Sequence, residues 1–293
     1  MTIIGLIGLG DMGAAVGRTL VSAGHDVFSI FAGRGDDSVR RGKEAGIEDC
    51  PSLQEMVERC DIILSVVPPG QARGVALDVA QALTASERSP IFADLNAIAP
   101  QTTKDNAAHI TNAGGIFVDG GIIGASPYKT PLKTRVYVSG ADAAALIPLS
   151  TDEMDVRRCG DDVGQASGLK MTYAAVTKGT AALQAAVLIA AEQMGLSEPL
   201  AAEFEESQAD RFGAMKAGVP FLAMDSVRWA DEMDEIAASF ADVGVTPKFH
   251  EGAGDLFRLL AQTPLEAETR ERFDGSRSLA EALKIYAQSV KRP

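Results

Sequence analysis

The chain has 293 residues, enough for two ordinary domains with sizeable hydrophobic cores. Hydrophobic residues make up 46% of it, which argues against disorder, and a formal net charge of −13 disfavours binding to nucleic acids and to anionic membranes. Its three cysteines lie in no metal-binding spacing and its three histidines are isolated, so we expect neither a disulfide framework nor a metal site.

A short β-branched strand over 3–7 opens the chain and leads through a glycine-rich turn into a helix over 14–23. The turn consists of Gly8, Leu9, Gly10, Asp11, Met12 and Gly13. In a dinucleotide site the first glycine allows the tight turn, the second lets the backbone approach the diphosphate, and the third lets helix and strand pack closely. Because a strand precedes and a helix follows, we assign all six residues to cofactor binding. The alternative is a strand-to-helix turn that binds no ligand.

The second predicted strand, over 27–31, bears on the choice of cofactor. NAD sites place an acidic residue about 20 residues past the glycines, but this strand ends in Phe31-Ala32-Gly33-Arg34. A planar guanidinium suits a 2′-phosphate, so Arg34 favours NADP over NAD. Further positive charge follows at 40, 41 and 43. The alternative is a solvated loop, because acidic residues at 36 and 37 alternate with the basic ones.

Strands and helices then alternate regularly, which predicts a doubly wound, parallel α/β sheet. The predicted strands cover 61–67, 91–95 and 116–119, the helices cover 52–60, 71–83 and 101–113, and late edge strands cover 135–140 and 156–159. Ligands of such sheets bind at the carboxyl ends of the strands. Val67 and Pro68 after one strand, and Asn96 after the next, are therefore candidate cofactor-binding residues.

From Gly164 onwards the strand signals vanish, and the pattern predicts an all-helical domain. The predicted helices cover 165–194, 199–216, 221–243, 252–262, 264–273 and 278–290. We therefore predict two domains, 1–163 and 164–293. Small residues on several helix faces predict a homodimer formed through the second domain. The longest apolar helix carries Lys170 and Lys178, and no basic segment precedes the first apolar run, so we expect no membrane span, no secretory signal and a cytoplasmic location.

The whole chain resembles the β-hydroxyacid dehydrogenase family, relatives of 3-hydroxyisobutyrate and 6-phosphogluconate dehydrogenases. The resemblance lies in the glycine-rich turn, Val66-Val67-Pro68-Pro69, Asp94 to Pro100, Asp119 to Ala125, and Gly164-Gln165-Ala166-x-x-x-Lys170. It implies an N-terminal Rossmann domain that binds NAD(P), an all-α C-terminal domain and a small-molecule substrate. The stretch 228–236 resembles an uncharacterised C-terminal domain found in one branch of these proteins.

The resemblance also implies a mechanism in which Lys170 is the general acid/base while hydride moves to or from the nicotinamide. A free lysine has a pKa near 10.4, and burial beside a cationic nicotinamide would lower it. The alternative for Lys170 is a surface lysine whose stem packs and whose amine is solvated. Lys178 has no motif around it, and we expect it to be solvated.

The candidate substrate residues depart from the family pattern. Ile123-Gly124-Ala125 stands where the family has Ser-Gly-Gly, and Tyr173 follows Lys170 by about one helical turn. The pocket is therefore less polar than that of a β-hydroxyacid enzyme, and a bulkier or less charged alcohol, ketone or imine fits it better. Two alternatives stay open: an imine reductase-like enzyme, and an NADP-binding regulatory protein without turnover.

Overall fold

A computed structural model describes residues 1–269 and 272–290 of the chain. The chain divides into two compact units, Met1–Met171 and Thr172–Pro293. The division lies inside one long helix, α6 (Gln165–Met194). The predicted domain boundary at 163 lies in the turn just before this helix.

Eight strands of the first unit form one sheet. They are β1 (Ile3–Ile7), β2 (Asp26–Ser29), β3 (Glu48–Asp49), β4 (Ile62–Ser65), β5 (Ile91–Asp94), β6 (Ile116–Ile123), β7 (Thr134–Ser139) and β8 (Met154–Gly160). Their order is β3-β2-β1-β4-β5-β6-β7-β8, and every neighbouring pair is parallel except β6 and β7. The predicted doubly wound sheet is therefore confirmed. The direction of winding reverses between β1 and β4, where such sheets bind ligands.

Helices cover both faces of this sheet. They are α1 (Asp11–Ser22), α2 (Asp36–Glu44), α3 (Leu53–Arg59), α4 (Pro69–Thr84) and α5 (Pro100–Asn112). Alternate residues of β4 enter different cores: Ile62 and Leu64 belong to one hydrophobic cluster and Ile63 to the other. A strand buried on both faces explains why its sequence is apolar throughout.

Several features of the first unit differ from the sequence-based expectation, and neither β3 nor the 3-10 helix over Ala143–Leu149 was predicted. The basic stretch over 40–43 lies in α2, which periodicity could not show because Gly42 is the only buried residue of that helix. Strand β6 continues to Ile123 instead of ending at 119, because β7 pairs with residues 119–123. The predicted substrate loop therefore begins later than expected.

The second unit is helical, as predicted. After α6 come α7 (Ser197–Ser207), α8 (Ala209–Gly218), α9 (Ser226–Asp242), α10 (Lys248–Leu260) and α11 (Leu279–Gln288), with 3-10 helices over Val219–Asp225 and Pro264–Ala267. The single helix predicted over 199–216 breaks at Gln208, whose backbone leaves the helical region. The helix predicted over 264–273 is wrong in its described part: Glu268 is extended, and residues 270–271 lie outside the described residues.

Helix α6 is long and apolar enough to cross a membrane, judged by length and composition alone, and 44% of its most apolar 18-residue window is buried. The central helices of soluble proteins share these properties. It is the single such helix among residues 1–269 and 272–290.

Within the second unit, the side chain of Lys178 is buried and paired with the buried carboxylate of Glu232 on α9. Glu232 also accepts a hydrogen bond of 3.1 Å from Arg228, one turn earlier on α9. The Lys178 ammonium lies 5.7 Å from the centroid of the Trp229 ring. The expectation that Lys178 is solvated is therefore wrong, because α9 brings it a partner from a distant part of the chain.

We expect Glu232→Leu to lower the free energy of unfolding by about 3–5 kcal/mol, because it leaves the Lys178 ammonium buried without its carboxylate. The matched control is Glu205→Leu, which breaks the half-exposed pair with Lys216 and should cost less than about 1 kcal/mol. Urea unfolding measures both. The double variant Lys178→Met/Glu232→Leu should recover most of the lost free energy of unfolding. Equal losses for Glu232→Leu and Glu205→Leu would show that the buried pair stabilises the protein no more than an exposed one.

Candidate functional site

The first and third glycines of the glycine-rich turn are required for close packing between backbone segments of the protein. Gly8 has a φ of +113°, and a Cβ there would lie 2.1 Å from the carbonyl oxygen of Val66 after β4. A Cβ on Gly13 would lie 2.1 Å from the Gly8 carbonyl oxygen. The two glycines therefore let the ends of β1 and β4 approach each other and let α1 pack on the turn.

Gly10, by contrast, faces open space, with no atom within 4 Å of a Cβ built on it. It is the N-cap residue of α1, and no side chain caps the N–H groups of that first helical turn. A side chain at this position would fill the space in front of the turn. The turn thus fits the diphosphate of a dinucleotide, which needs close backbone approach and helical N–H donors.

The other residues of the turn contribute through their backbone or through a contact elsewhere. Leu9 is buried, and its carbonyl accepts a 3.2 Å hydrogen bond from Arg41 Nε. Met12 packs against the hydrophobic cluster below the turn. Asp11 is half exposed and contacts Ser126 and Lys129 of the segment after β6.

Asn96 holds the second predicted cofactor-binding segment in place. Its Oδ1 accepts a 2.7 Å hydrogen bond from the Val67 N–H, and its Nδ2 donates to Ser65 Oγ at 2.9 Å. The side chain is buried, so its amide connects the ends of β4 and β5. The Val67 side chain lies next to the glycine-rich turn, 3.2 Å from a Cβ built on Gly8, and Pro68 follows it in an exposed position.

Asp94, the last residue of β5, is fully buried beneath this segment. Burial raises the pKa of its carboxyl to about 6, although hydrogen bonds from Asn106 Nδ2 and the Asn96 N–H act in the opposite direction. The Oδ1 atom of Asn106 is buried and has no hydrogen-bond partner.

A cavity of about 210 Å³ lies at the carboxyl ends of β1 and β2, and the residue predicted to bind a 2′-phosphate, Arg34, is part of its lining. Arg34 is exposed and stands just before α2. The cavity is mostly apolar, with one cation and one acid among its side chains. It is lined by Leu6, Ile7, Ser29, Ile30, Arg34, Leu53, Met56, Val75 and Asp78.

The buried carboxylate of Asp119, on β6, caps the N-terminus of α6. Its Oδ2 accepts hydrogen bonds from the backbone N–H groups of Gly164, Ala166 and Ser167, at 2.8, 3.0 and 3.2 Å. Oδ2 also accepts a hydrogen bond of 2.9 Å from the Ser139 hydroxyl, and Oδ1 accepts one of 2.6 Å from the Ser167 hydroxyl. These bonds fix the start of α6 on the strand and satisfy N–H groups that a helix leaves unpaired.

Lys170 lies on the next turn of α6 and packs on the same strand. A Cβ on Gly121 would come within 2.7 Å of the Lys170 Cβ and within 3.0 Å of the Ala166 carbonyl oxygen. Gly121 therefore lets the helix lie directly on β6 at Lys170, whose side chain is half-buried. Lys170 is thereby placed beside the carboxyl-terminal part of β6, the strand parallel to β5.

The four predicted substrate residues differ in their burial and in the element to which they belong. Ile123 is the last residue of β6, with its side chain buried, so its assignment to a loop is wrong. Alternation along the strand puts it on the face of Gly121 and Lys170. Gly124, at a φ of +112°, and Ala125 follow in exposed positions. Tyr173 belongs to the second unit and is 46% exposed.

Sequence reasoning gave no structural role to three residues that organise this site: Asp119, Asp94 and Arg41. An aspartate that ends an apolar strand was visible in the sequence at both 94 and 119. A helix that begins after Gly164 also lacks its own capping side chain, which indicates that a distant residue supplies the cap. Among the residues that the structure describes, no group of three or more His, Cys, Asp or Glu side chains is placed to hold a metal ion.

Comparison with known proteins identifies both parts of the chain. Residues 3–146 match the NAD binding domain of 6-phosphogluconate dehydrogenase, and residues 191–260 match a domain of unknown function (DUF1932). An uncharacterised 28.5 kDa protein of Methanothermus fervidus is 28% identical over 209 residues, which cover 71% of this chain and 78% of that protein.

Two dehydrogenases extend the comparison. The NAD-dependent L-serine dehydrogenase of Pseudomonas aeruginosa is 29% identical over 146 residues, 49% of this chain and 47% of that enzyme, so the match spans about half of its length. The structure of Mycobacterium tuberculosis 3-hydroxyisobutyrate dehydrogenase with L-serine superposes with a TM-score of 0.66 at 21% identity, covering 89% of this chain and 94% of that one. The match over residues 3–146 shows that an NAD(P)-binding domain is present.

The raised pKa of Asp94 generates a pH dependence of stability. Because the folded pKa is about 6 and the ordinary value is 3.8, the contribution of Asp94 to stability is fully present below about pH 4 and is lost as the pH rises through 6. We expect Asp94→Asn to gain about 3 kcal/mol relative to the natural chain between pH 4 and pH 8, from 1.4 kcal/mol per pKa unit. Urea unfolding across this range measures the gain. Asp105→Asn, at an exposed position, is the control, and parallel pH profiles for all three proteins would contradict the prediction.

Proposed function

Because the chain belongs to the 3-hydroxyisobutyrate dehydrogenase and 6-phosphogluconate dehydrogenase-like family, we propose that it is an NADP-dependent oxidoreductase that interconverts an alcohol and a carbonyl group. The family predicted from the sequence motifs is thus confirmed. The observation that carries the proposal is the position of Lys170, packed on Gly121 of β6 in the unit that also holds the glycine-rich turn.

In this proposal Lys170 holds and moves a proton at Nζ. It accepts the hydroxyl proton when the substrate is oxidised and returns it to the carbonyl oxygen in the reverse direction. Packing of its stem on β6 and the Asp119 cap on α6 restrict where the amine can move, which is the positioning that acid–base catalysis needs. When bound, the nicotinamide supplies or accepts the hydride.

Arg34 supports the choice of NADP. The cavity beside β1 and β2 is apolar enough for an adenine ring, and Arg34 adds a guanidinium that suits a 2′-phosphate. The acid in the cavity, Asp78, lies on α4 and not at the end of β2, where an NAD-specific acid belongs.

The substrate we propose is a small alcohol, ketone or aldehyde with a less charged group beside the reacting carbon than a β-hydroxyacid has. Ile123 presents a hydrocarbon side chain on the face of β6 that carries Lys170, and Gly124 and Ala125 add no hydroxyl. Tyr173, one helical turn after Lys170, is the remaining polar side chain that we assign to substrate binding.

Titration of nucleotide-free protein with NADPH and NADH tests the cofactor. We expect tighter binding of NADPH, and we expect Arg34→Ala to weaken NADPH by about 10- to 100-fold but NADH by less than about 3-fold, because only NADPH carries the 2′-phosphate. Arg211→Ala, in the second unit, removes an exposed charge as the control. Equal losses of affinity for NADPH and NADH would show that Arg34 does not bind the 2′-phosphate. A natural chain that binds neither nucleotide would refute the proposal.

A substrate screen with β-hydroxyacids, aldehydes, ketones and imines tests the reaction. With any substrate that is turned over, Lys170→Met should lower kcat by about 10²- to 10⁴-fold, the usual contribution of acid–base catalysis, and leave NADPH affinity near that of the natural chain. Lys284→Met, an exposed lysine of α11, is the control. Turnover of imines alone would favour the imine reductase-like alternative. Tight NADPH binding without any turnover would favour the regulatory one.

We propose that the protein also forms a homodimer, through an exposed apolar stripe on α6. Val176, Leu183, Val187 and Met194 are all exposed and follow one another at intervals of 7, 4 and 7 residues. Alternating steps of three and four place them on one face of the helix. A second copy presents the same stripe, so that two helices can bury it against each other around a two-fold axis.

The double variant Val176→Glu/Leu183→Glu tests this dimer, because two carboxylates would then lie in the apolar contact. We expect the mass measured by light scattering to fall from that of a dimer to that of a monomer. The control, Val227→Glu/Val243→Glu, places the same charges at exposed positions on and next to α9 and should leave the mass unchanged. A monomeric natural chain would refute the proposal.

A further inference from the structure

The segment that follows β6 is tied to the first turn of α1 by two polar contacts. Ser126 Oγ donates to Asp11 Oδ2 at 2.6 Å, and Lys129 Nζ donates to Asp11 Oδ1 at 2.7 Å. Ser126 is buried, whereas Asp11 and Lys129 are each about half exposed. The Lys129 ammonium is thus held beside the residue that directly follows Gly10.

The backbone of this segment is a tight turn with an unusual residue. The N–H of Lys129 donates to the Ser126 carbonyl at 3.2 Å, Pro127 occupies the second position, and Tyr128 occupies the third with a φ of +69°. This is the geometry of a type II turn, which strongly favours glycine at its third position. Tyr128 is the single non-glycine residue with a positive φ among residues 1–269 and 272–290. Its ring lies 4.8 Å from Arg18 Cζ on α1.

The ion pair alone does not explain why this strained turn is kept. A half-exposed lysine–aspartate pair adds little to stability, whereas a left-handed non-glycine residue is unfavourable. The turn does, however, determine where the Lys129 ammonium lies. Strain that a fold retains at one position is a reason to look for a function there.

The charges at the start of α1 indicate what the function of this turn is. Asp11 places a carboxylate on the first turn of the helix, next to the open space at Gly10 where a diphosphate fits. An unpaired carboxylate there would repel the phosphates. Lys129 neutralises it, and an ammonium has three N–H donors, so it can keep its bond to Asp11 and donate to a phosphate oxygen as well.

We infer that Lys129 binds the diphosphate of the dinucleotide, with Asp11, Ser126 and the strained turn as the groups that position its ammonium. The inference rests on the proposed function, because it names a further residue of the same nucleotide site. It assigns Lys129 and the turn over 126–129 to the cofactor and not to the organic substrate. Lys133, on the same segment, donates to the Thr151 carbonyl at 3.0 Å and has no such role.

Lys129→Met removes the charge while keeping most of the side-chain volume. We expect the Kd values of NADPH, NADH and ADP, which all contain a diphosphate, to rise by about 10-fold, the effect of losing one charge-assisted hydrogen bond. The Kd of adenosine 2′-monophosphate, which has no diphosphate, should not change. Lys129→Arg should stay within about 3-fold of the natural chain, and Lys133→Met is the matched control.

The outcomes separate this inference from the proposed function. If the natural chain binds neither NADPH nor NADH, the proposed function itself fails. If it binds them and Lys129→Met binds all four nucleotides as Lys133→Met does, the inference is wrong and the proposed function stands. A rise confined to the KM of the organic substrate would also overturn the inference, because Lys129 would then belong to the substrate.

Discussion

The carboxylate of Asp119 accepts hydrogen bonds from three backbone N–H groups at the start of α6 and from two serine hydroxyls. It is fully buried, so each of these bonds replaces one to water that the carboxylate has lost. A negative charge at a helix N-terminus is also favoured by the helix dipole. The position of α6 on β6 depends on this interaction, and the position of Lys170 depends on α6. Because the helix begins at a fixed point of the strand, its second turn must lie over Gly121.

Glycines have two different tasks in the first unit, both in the glycine-rich turn and on β6. In the glycine-rich turn, Gly8 and Gly13 allow close contact between protein atoms, and Gly10 leaves space for a ligand. On β6, a Cβ on Gly120 would come within 2.2 Å of Leu95, whereas one on Gly121 would meet Lys170. Since neighbouring strand residues point to opposite faces, Gly120 serves the core and Gly121 serves the site.

The charges of this acidic chain are distributed in a way that suits an anionic cofactor. Arg34 lies at the cavity beside β2, Arg41 holds the Leu9 carbonyl of the glycine-rich turn, and Lys129 lies beside Asp11. These three basic residues lie at or beside the glycine-rich turn and the carboxyl ends of β1 and β2. A net charge of −13 would otherwise oppose the approach of a phosphorylated ligand, and local positive charge offsets that repulsion.

Local features of the sequence were sufficient to predict most of the fold. Apolar strands, the glycine spacing at 8–13 and the loss of strand signals after Gly164 predicted the doubly wound sheet and the helical second half. These local features did not predict an element whose hydrophobic pattern is weak, and they did not predict how far strand pairing extends an element. Helix α2 has one buried residue and no apolar face to reveal it, and β6 is lengthened by its partner β7. The glycine-rich turn of the candidate site could also be predicted, because its six residues are adjacent in the sequence.

The tertiary structure alone decided which polar groups meet. Asp119 caps residues 45 to 48 positions later, Asn96 holds a backbone N–H 29 positions earlier, and Lys178 pairs with Glu232 54 positions later. Composition and periodicity report the burial of single residues along an element, and they carry no information about which distant group will face it. The sequence by itself therefore determined the sheet, the helical half and the glycine-rich turn. The fold decided how Lys170 is held, because a buried hydrogen bond requires two groups that only packing brings together.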